Sequence, residues 1–366
     1  MKTSRSFSTR NSVSQSILVM VCISMLSAVA NAQHYQQNNL VSDIPGLAAN
    51  TDRNLVNPWG LARSSGSPWW VADNGTGVST LYNGSGTPVP LIVTIPGSAG
   101  PATPTGIVFN GSPSFQLSPG NPARFIFVTE DGTISGWNPN VDATHAVLKV
   151  NQSPRSVFKG ATIGEVDGNL FLFVADFREG QIDVFDRNFA TVKAKEDAFE
   201  DHKLPKGFAP FNVQNIGGNL YVTFAKQDDA KHDEVDGPGL GFVDVFSPHG
   251  QLLQRLQHGD WLNGPWGVTL APSDFGKFSH HVLVGQFGSG EIAAYDPVTG
   301  EFAGEIKDTK DSVLRIDGLW ALSFGNGAQA GPFNSLFFTA GIQKEAHGLF
   351  GTLTTVPSEL TEGNGR

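Results

Sequence analysis

Short apolar or alternating runs of four to six residues, bounded by Gly, Asp, Asn or Pro, recur along most of the chain, a strand pattern rather than a helical one. Six of them are Trp69 to Asp73, Phe125 to Glu130, Leu170 to Asp176, Asn219 to Phe224, His281 to Gln286 and Ser335 to Ala340. Each follows a short turn phrase: Asn57-Pro58-Trp59-Gly60, Thr103-Pro104-Thr105-Gly106, Phe158-Lys159-Gly160-Ala161, Ala209-Pro210-Phe211-Asn212, Gly264-Pro265-Trp266-Gly267 and Gly318-Leu319-Trp320-Ala321. The phrase returns about every 52 residues, a period that marks a repeated supersecondary unit. Third runs, such as Gln181 to Asp186, Gly241 to Phe246 and Glu291 to Asp296, complete several units. Six units of three or four strands predict an all-β, six-bladed β-propeller, whose radial closure leaves only short sheet edges. The strand-like stretch Asn39 to Ile44, ahead of the first unit, is expected to close the ring beside Leu349 to Val356. A linear β-solenoid or a pair of β-sandwiches are the competing arrangements.

Outside the repeats, Lys2, Arg5 and Arg10 precede the apolar stretch Ile17 to Ala30 and the small residues Ala30-Asn31-Ala32, which reads as a secretory signal over residues 1–32. The expected organisation is then a propeller over 33–356 and a flexible polar tail over 357–366. Val21 before Cys22 argues against a lipid anchor, and no other apolar run approaches the ~18 residues of a membrane span. Cys22 is the single cysteine, so the exported chain would carry no disulfide. With 43 Gly and only 16% charged residues, the composition excludes disorder and long helices. Loss of the signal deepens the formal net charge from −10 to −13, which disfavours nucleic acid as a partner. A periplasmic or extracellular location is expected.

The run Phe173-Val174-Ala175-Asp176-Phe177-Arg178-Glu179-Gly180-Gln181-Ile182-Asp183-Val184-Phe185-Asp186 resembles the repeat of NHL-type propellers. From about Leu40 to Val356 the chain is similar to an uncharacterised family of exported bacterial propeller proteins. The phrases that carry this likeness are Ala225 to Asp233, Asn263-Gly264-Pro265-Trp266-Gly267 and Ile316-Asp317-Gly318-Leu319-Trp320. Some members of that family end in a PEP-CTERM sorting tail, which this sequence does not show after Val356. The resemblance implies fold and export but no activity.

In a propeller, the turn entering each blade and the loop between its second and third strands share one face. The entrances hold Trp59, Thr105, Lys159 or Gly160, Phe211, Trp266 and Trp320, so Trp59, Phe211, Trp266 and Trp320 are candidate stacking residues for a sugar ring or apolar ligand. The simpler expectation is that they wedge between blades as ordinary core. The second strands end in Asp73, Glu130, Asp176, Phe224, Gln286 and Ala340, and the three acids could bind Ca²⁺ or another divalent cation, or serve as acid and base. The simpler expectation for an Asp at a strand end is to accept a backbone hydrogen bond in its own turn. The long loop Gln227 to Gly239 adds Asp228, Asp229, Asp233, Glu234 and Asp236, with Lys226, Lys231 and His232 as further binding candidates; Gly341 to Gly348 adds Glu345 and His347.

No zinc spacing, phosphate loop or nucleophile elbow is present in the sequence. The leading expectation is therefore a non-enzymatic propeller without a required cofactor, binding an extracytoplasmic ligand, glycan or protein. The alternative resembles the gluconolactonase and strictosidine-synthase type of metal-dependent propeller. Its candidate ligands are Asn57, Glu130, Asp176, Asn212, Asn263 and Asp317, and a Lewis-acid role would need an open position on the metal.

Overall fold

A computed structural model describes residues 1–3 and 34–356. The signal and tail expectations lie outside the described residues. The chain forms a six-bladed β-propeller, with inner strands Pro58–Ala62, Pro104–Phe109, Phe158–Val166, Phe208–Ile216, Pro265–Leu270 and Leu319–Phe324. Each blade continues outward as an antiparallel meander, as in Asn169–Asp176, Gln181–Phe185 and Thr191–Val192 of blade 3. Among the described residues there is no α-helix, only a 3₁₀ turn at Gly276–Phe278, and no helix is long and apolar enough to cross a membrane.

The ring is closed by His34–Ser42, paired antiparallel with Leu349–Val356 from His34 opposite Val356 to Ser42 opposite Leu349. This strand starts earlier than Asn39 and ends before Ile44. Its first half, His34-Tyr35-Gln36-Gln37-Asn38, is too polar to show an apolar alternation, and Tyr35 and Val41 supply its fully buried hydrophobic contacts. Tyr35 packs on Phe275 and Phe278, and its hydroxyl donates to the Phe275 carbonyl at 3.0 Å. At the other end, the Ser42 hydroxyl donates to the Gly348 carbonyl at 2.7 Å. Asp43 accepts from the Gly348 amide at 2.8 Å and lies 2.7 Å from His347 Nδ1. These contacts do the work of a disulfide by tying the first strand to the last.

Two local features aim side chains into the channel. Every inner strand slips its register at the blade entrance, between Pro58 and Leu61 in blade 1 and at the matching place in the other five. Such bulges bend a strand and re-aim the residue in them. Glycine then permits adjacent inner strands to touch: a Cβ on Gly60 would stand 2.4 Å from the Thr105 carbonyl, and one on Gly267 2.4 Å from the Trp320 carbonyl. The Trp-Gly phrase thus encodes a ring inward and a close backbone approach sideways.

Candidate ligand site at the channel mouth

The entrance aromatics meet in the middle of the ring. Trp59 stacks on Trp320 at 3.5 Å between centroids, Phe287 covers Trp320 at 4.0 Å, and Trp266 meets Trp59 edge-on at 6.0 Å. Phe211 and Phe177 complete a buried cluster. The Trp266 indole N–H donates to the Lys159 carbonyl at 3.0 Å, and that of Trp320 to Asn57 Oδ1 at 3.1 Å. These rings plug the channel and present no free face for stacking.

On this aromatic floor stands Lys159, wholly buried, its ammonium 4.9 Å from the Trp59 ring centroid. It donates to Glu130 Oε1 at 2.6 Å and to Asp233 Oδ1 at 3.2 Å. The other oxygen of Glu130 accepts from the Asn74 amide at 2.8 Å. Asn57 donates to Glu345 Oε2 at 2.6 Å, and His232 Nδ1 lies 2.8 Å from Asp233 Oδ1. Three blades and two long loops, those of blades 4 and 6, therefore converge on one lysine.

The charge balance there is uneven. Burial alone would lower the Lys159 pKa, but the attraction of Glu130, Glu234 and Asp233 outweighs it and raises the value above that of an ordinary lysine. That attraction favours the protonated amine. Burial pushes Glu234 up to about 8 and raises Glu345 as well. The hydrogen bond with His232 holds Asp233 down to about 2, and the same bond raises His232. Because Lys159 pairs with Glu130 and Asp233, Glu234 and Glu345 have no ion pair among the described residues. Donor atoms of Glu130, His232 and Asp233 lie within 4.8 Å of one another, a spacing that suits a metal ion. Yet the Lys159 ammonium already bonds two of these three groups, so their neutralising cation is built into the chain.

The other candidate residues go elsewhere. Asp73 turns into its own hairpin, where Oδ2 accepts from the Thr80 amide at 3.0 Å and hydroxyl at 2.8 Å. Asp176 accepts from the amides of Val157 and Glu179, both at 3.2 Å. Burial raises both carboxyls, Asp176 to about 6. Asn212 donates to the Trp266 carbonyl at 2.8 Å, Asn263 Oδ1 accepts from Gly237, and Asp317 Oδ2 accepts from Gln343. These residues form no common cage; of the proposed metal set, Asn57 and Glu130 reach the mouth, joined through Asn74. Lys226 lies over Phe208 and donates to the Lys206 carbonyl, and His347 is held by Asp43 of the closing segment.

Sequence reasoning did not single out Lys159 as a centre, nor Asn74, Glu234 and Glu345 as its surroundings. A readable signal existed for the lysine: it interrupts the apolar strand of Val157-Phe158-Lys159-Gly160-Ala161 where four other copies carry an aromatic ring.

No family model matches the chain. It is 32% identical over 329 residues to uncharacterized protein L690 of Acanthamoeba polyphaga mimivirus, covering 87% of this chain and 85% of that protein. It is also 32% identical over 327 residues to uncharacterized protein R648 of the same virus, covering 86% and 79%. The chain belongs to the family of these proteins. These relatives are viral, so they lend no support to the expected bacterial source. Among solved structures, a virginiamycin B lyase from Staphylococcus aureus superposes with a TM-score of 0.50 at 12% identity, covering 88% of this chain and 99% of that one. At that identity the likeness extends to the propeller fold alone.

Proposed function

We propose that this chain is an exported binding propeller that captures a ligand bearing an organic cation, a primary ammonium or guanidinium group, at its acidic channel mouth. One observation carries the reading: four carboxylates gather around one lysine, and two of them, Glu234 and Glu345, have no cation of their own. The same neighbourhood holds the Lys159 ammonium between carboxylates and an aromatic face, so its chemistry suits a second group of that kind. Covered indole faces disfavour sugar stacking. Export rests on the charged and then apolar N-terminal pattern. Titration of the full chain with 1,5-diaminopentane tests the reading: binding at pH 8 that Glu345→Gln weakens at least tenfold supports it, and no binding removes it.

A metal-dependent reading has its own support in the Glu130, His232 and Asp233 donors. It requires the Lys159 amine to leave, so Lys159→Met should strengthen Mn²⁺ or Zn²⁺ binding to the purified protein. Unchanged or absent binding excludes it.

A further inference from the structure

At the end of the channel opposite the acidic mouth, residues in or next to the later parts of five inner strands line an open cavity of about 420 Å³. That size lies in the range of small-molecule sites. Its walls are mixed in a specific way. Ile107, Phe109 and Ile163 supply apolar surface, while Arg63, Gln214 and Ser323 supply polar groups. Arg63 is fixed: Nε donates to the Phe324 carbonyl at 2.6 Å, Nη2 donates to the Gly325 carbonyl at 3.1 Å, and the guanidinium lies 5.5 Å from the Trp69 ring centroid. Both bonds are to neutral carbonyls. No carboxylate pairs with it among the described residues, and burial alone lowers its pKa. A half-buried guanidinium held rigidly with one nitrogen unused, in a chain of net charge −10, is a charge left for something else. Gln214 also borders a narrower space of about 30 Å³ deeper in the channel, and its side-chain amide has no hydrogen-bond partner among the described residues.

We propose that this cavity is a second binding site, for a small monocarboxylate with an apolar body: the carboxylate on Arg63 and Gln214, the body against Ile107, Phe109 and Ile163. One fixed cation with neutral donors matches a single negative charge better than a phosphate dianion. The site is independent of the acidic mouth, from which the aromatic plug divides it.

The test is calorimetry of the full-length protein with hexanoate and, separately, with 1-hexanol, which has the same length and no charge. The expected result is hexanoate binding at least tenfold tighter than hexanol, with Gln214→Trp, which fills the cavity, abolishing both. Arg63→Met should bring hexanoate down to the level of hexanol. Equal affinities for the two ligands in the unmodified protein would overturn the proposal, as would absent hexanoate binding or binding that survives Gln214→Trp. The comparison of ligands needs no variant, so a poorly folding Arg63→Met does not protect the idea.

Discussion

Replacing Lys159 by Met keeps a long apolar stem over Trp59 and removes the charge. The ammonium is fully buried and lies 2.6 Å from Glu130 Oε1 and 3.2 Å from Asp233 Oδ1. The two partners differ in weight: the Glu130 side chain is 11% exposed and that of Asp233 is 64% exposed. Solvent screens the second pair, so the loss comes mainly from the first. Removing one member of a buried pair typically destabilises by about 3–5 kcal/mol, because the other charge stays buried and alone. That deficit depends on pH in a defined sense. Without Lys159, Glu234 and Glu345, which burial already raises, lose the attraction that pulls them down and rise further above their unfolded values. Such groups contribute stability at low pH and lose it as pH rises through the folded value, at most about 1.4 kcal/mol per pH unit for each proton. Lys159→Met should therefore lose about 3–5 kcal/mol at pH 8 and much less at pH 5. Urea unfolding followed by tryptophan fluorescence at the two pH values measures both. A deficit equal at pH 5 and pH 8, or none at pH 8, refutes the placement of Lys159 as the counter-charge of the mouth.

Three further outcomes follow from particular contacts. Tyr35→Ala removes a fully buried ring and the bond to the Phe275 carbonyl, so the unfolding free energy should drop by about 3–5 kcal/mol; a drop below about 1 would mean that the closing strand is not anchored there. Gly267→Ala places a methyl 2.4 Å from the Trp320 carbonyl, a backbone atom with no rotamer to yield, and should lose about 1–3 kcal/mol in chemical denaturation, whereas unchanged stability would contradict the close approach of the inner strands. Asp73→Asn should cost less than about 1 kcal/mol at pH 7, because burial already favours the neutral carboxyl and an amide oxygen can still accept from Thr80; it should also remove the loss of stability that Asp73 causes as pH rises through its folded pKa, and a large loss at neutral pH would show that the charge is needed.

Much of the fold was legible because the entrance phrase recurs at all six blades, and in its Trp-Gly form, at Trp59-Gly60 and Trp266-Gly267, it encodes an inward ring and a close backbone approach at once. The inward aim of the entrance rings was less legible, since it depends on a bulge set by pairing with the second strand. The acid positions show why equivalent places in a repeat need not share a role. In blade 3, Asp176 accepts from Val157, just before the inner strand. In blade 2 the corresponding amide, that of Thr103, bonds instead to Asp131 at 2.9 Å. The neighbouring Glu130 is thereby released to reach Lys159. Which of two adjacent acids holds the turn depends on side-chain length together with backbone path, and the path cannot be read from a pattern. Glu345 reaches Asn57 across 288 positions of sequence, a contact only ring closure creates.

The central claim, that the mouth takes up a cation and gives up a proton, is tested most directly by titrating the full-length protein with 1,5-diaminopentane in phosphate and in HEPES. Because burial holds Glu234 near 8, binding at pH 7 should release protons. The observed heat should then differ between the two buffers, and affinity should fall by up to about tenfold for each pH unit below 8. Glu234→Gln should abolish the difference. Equal heats in both buffers with a pH-independent affinity, or no binding at pH 8, would contradict the account.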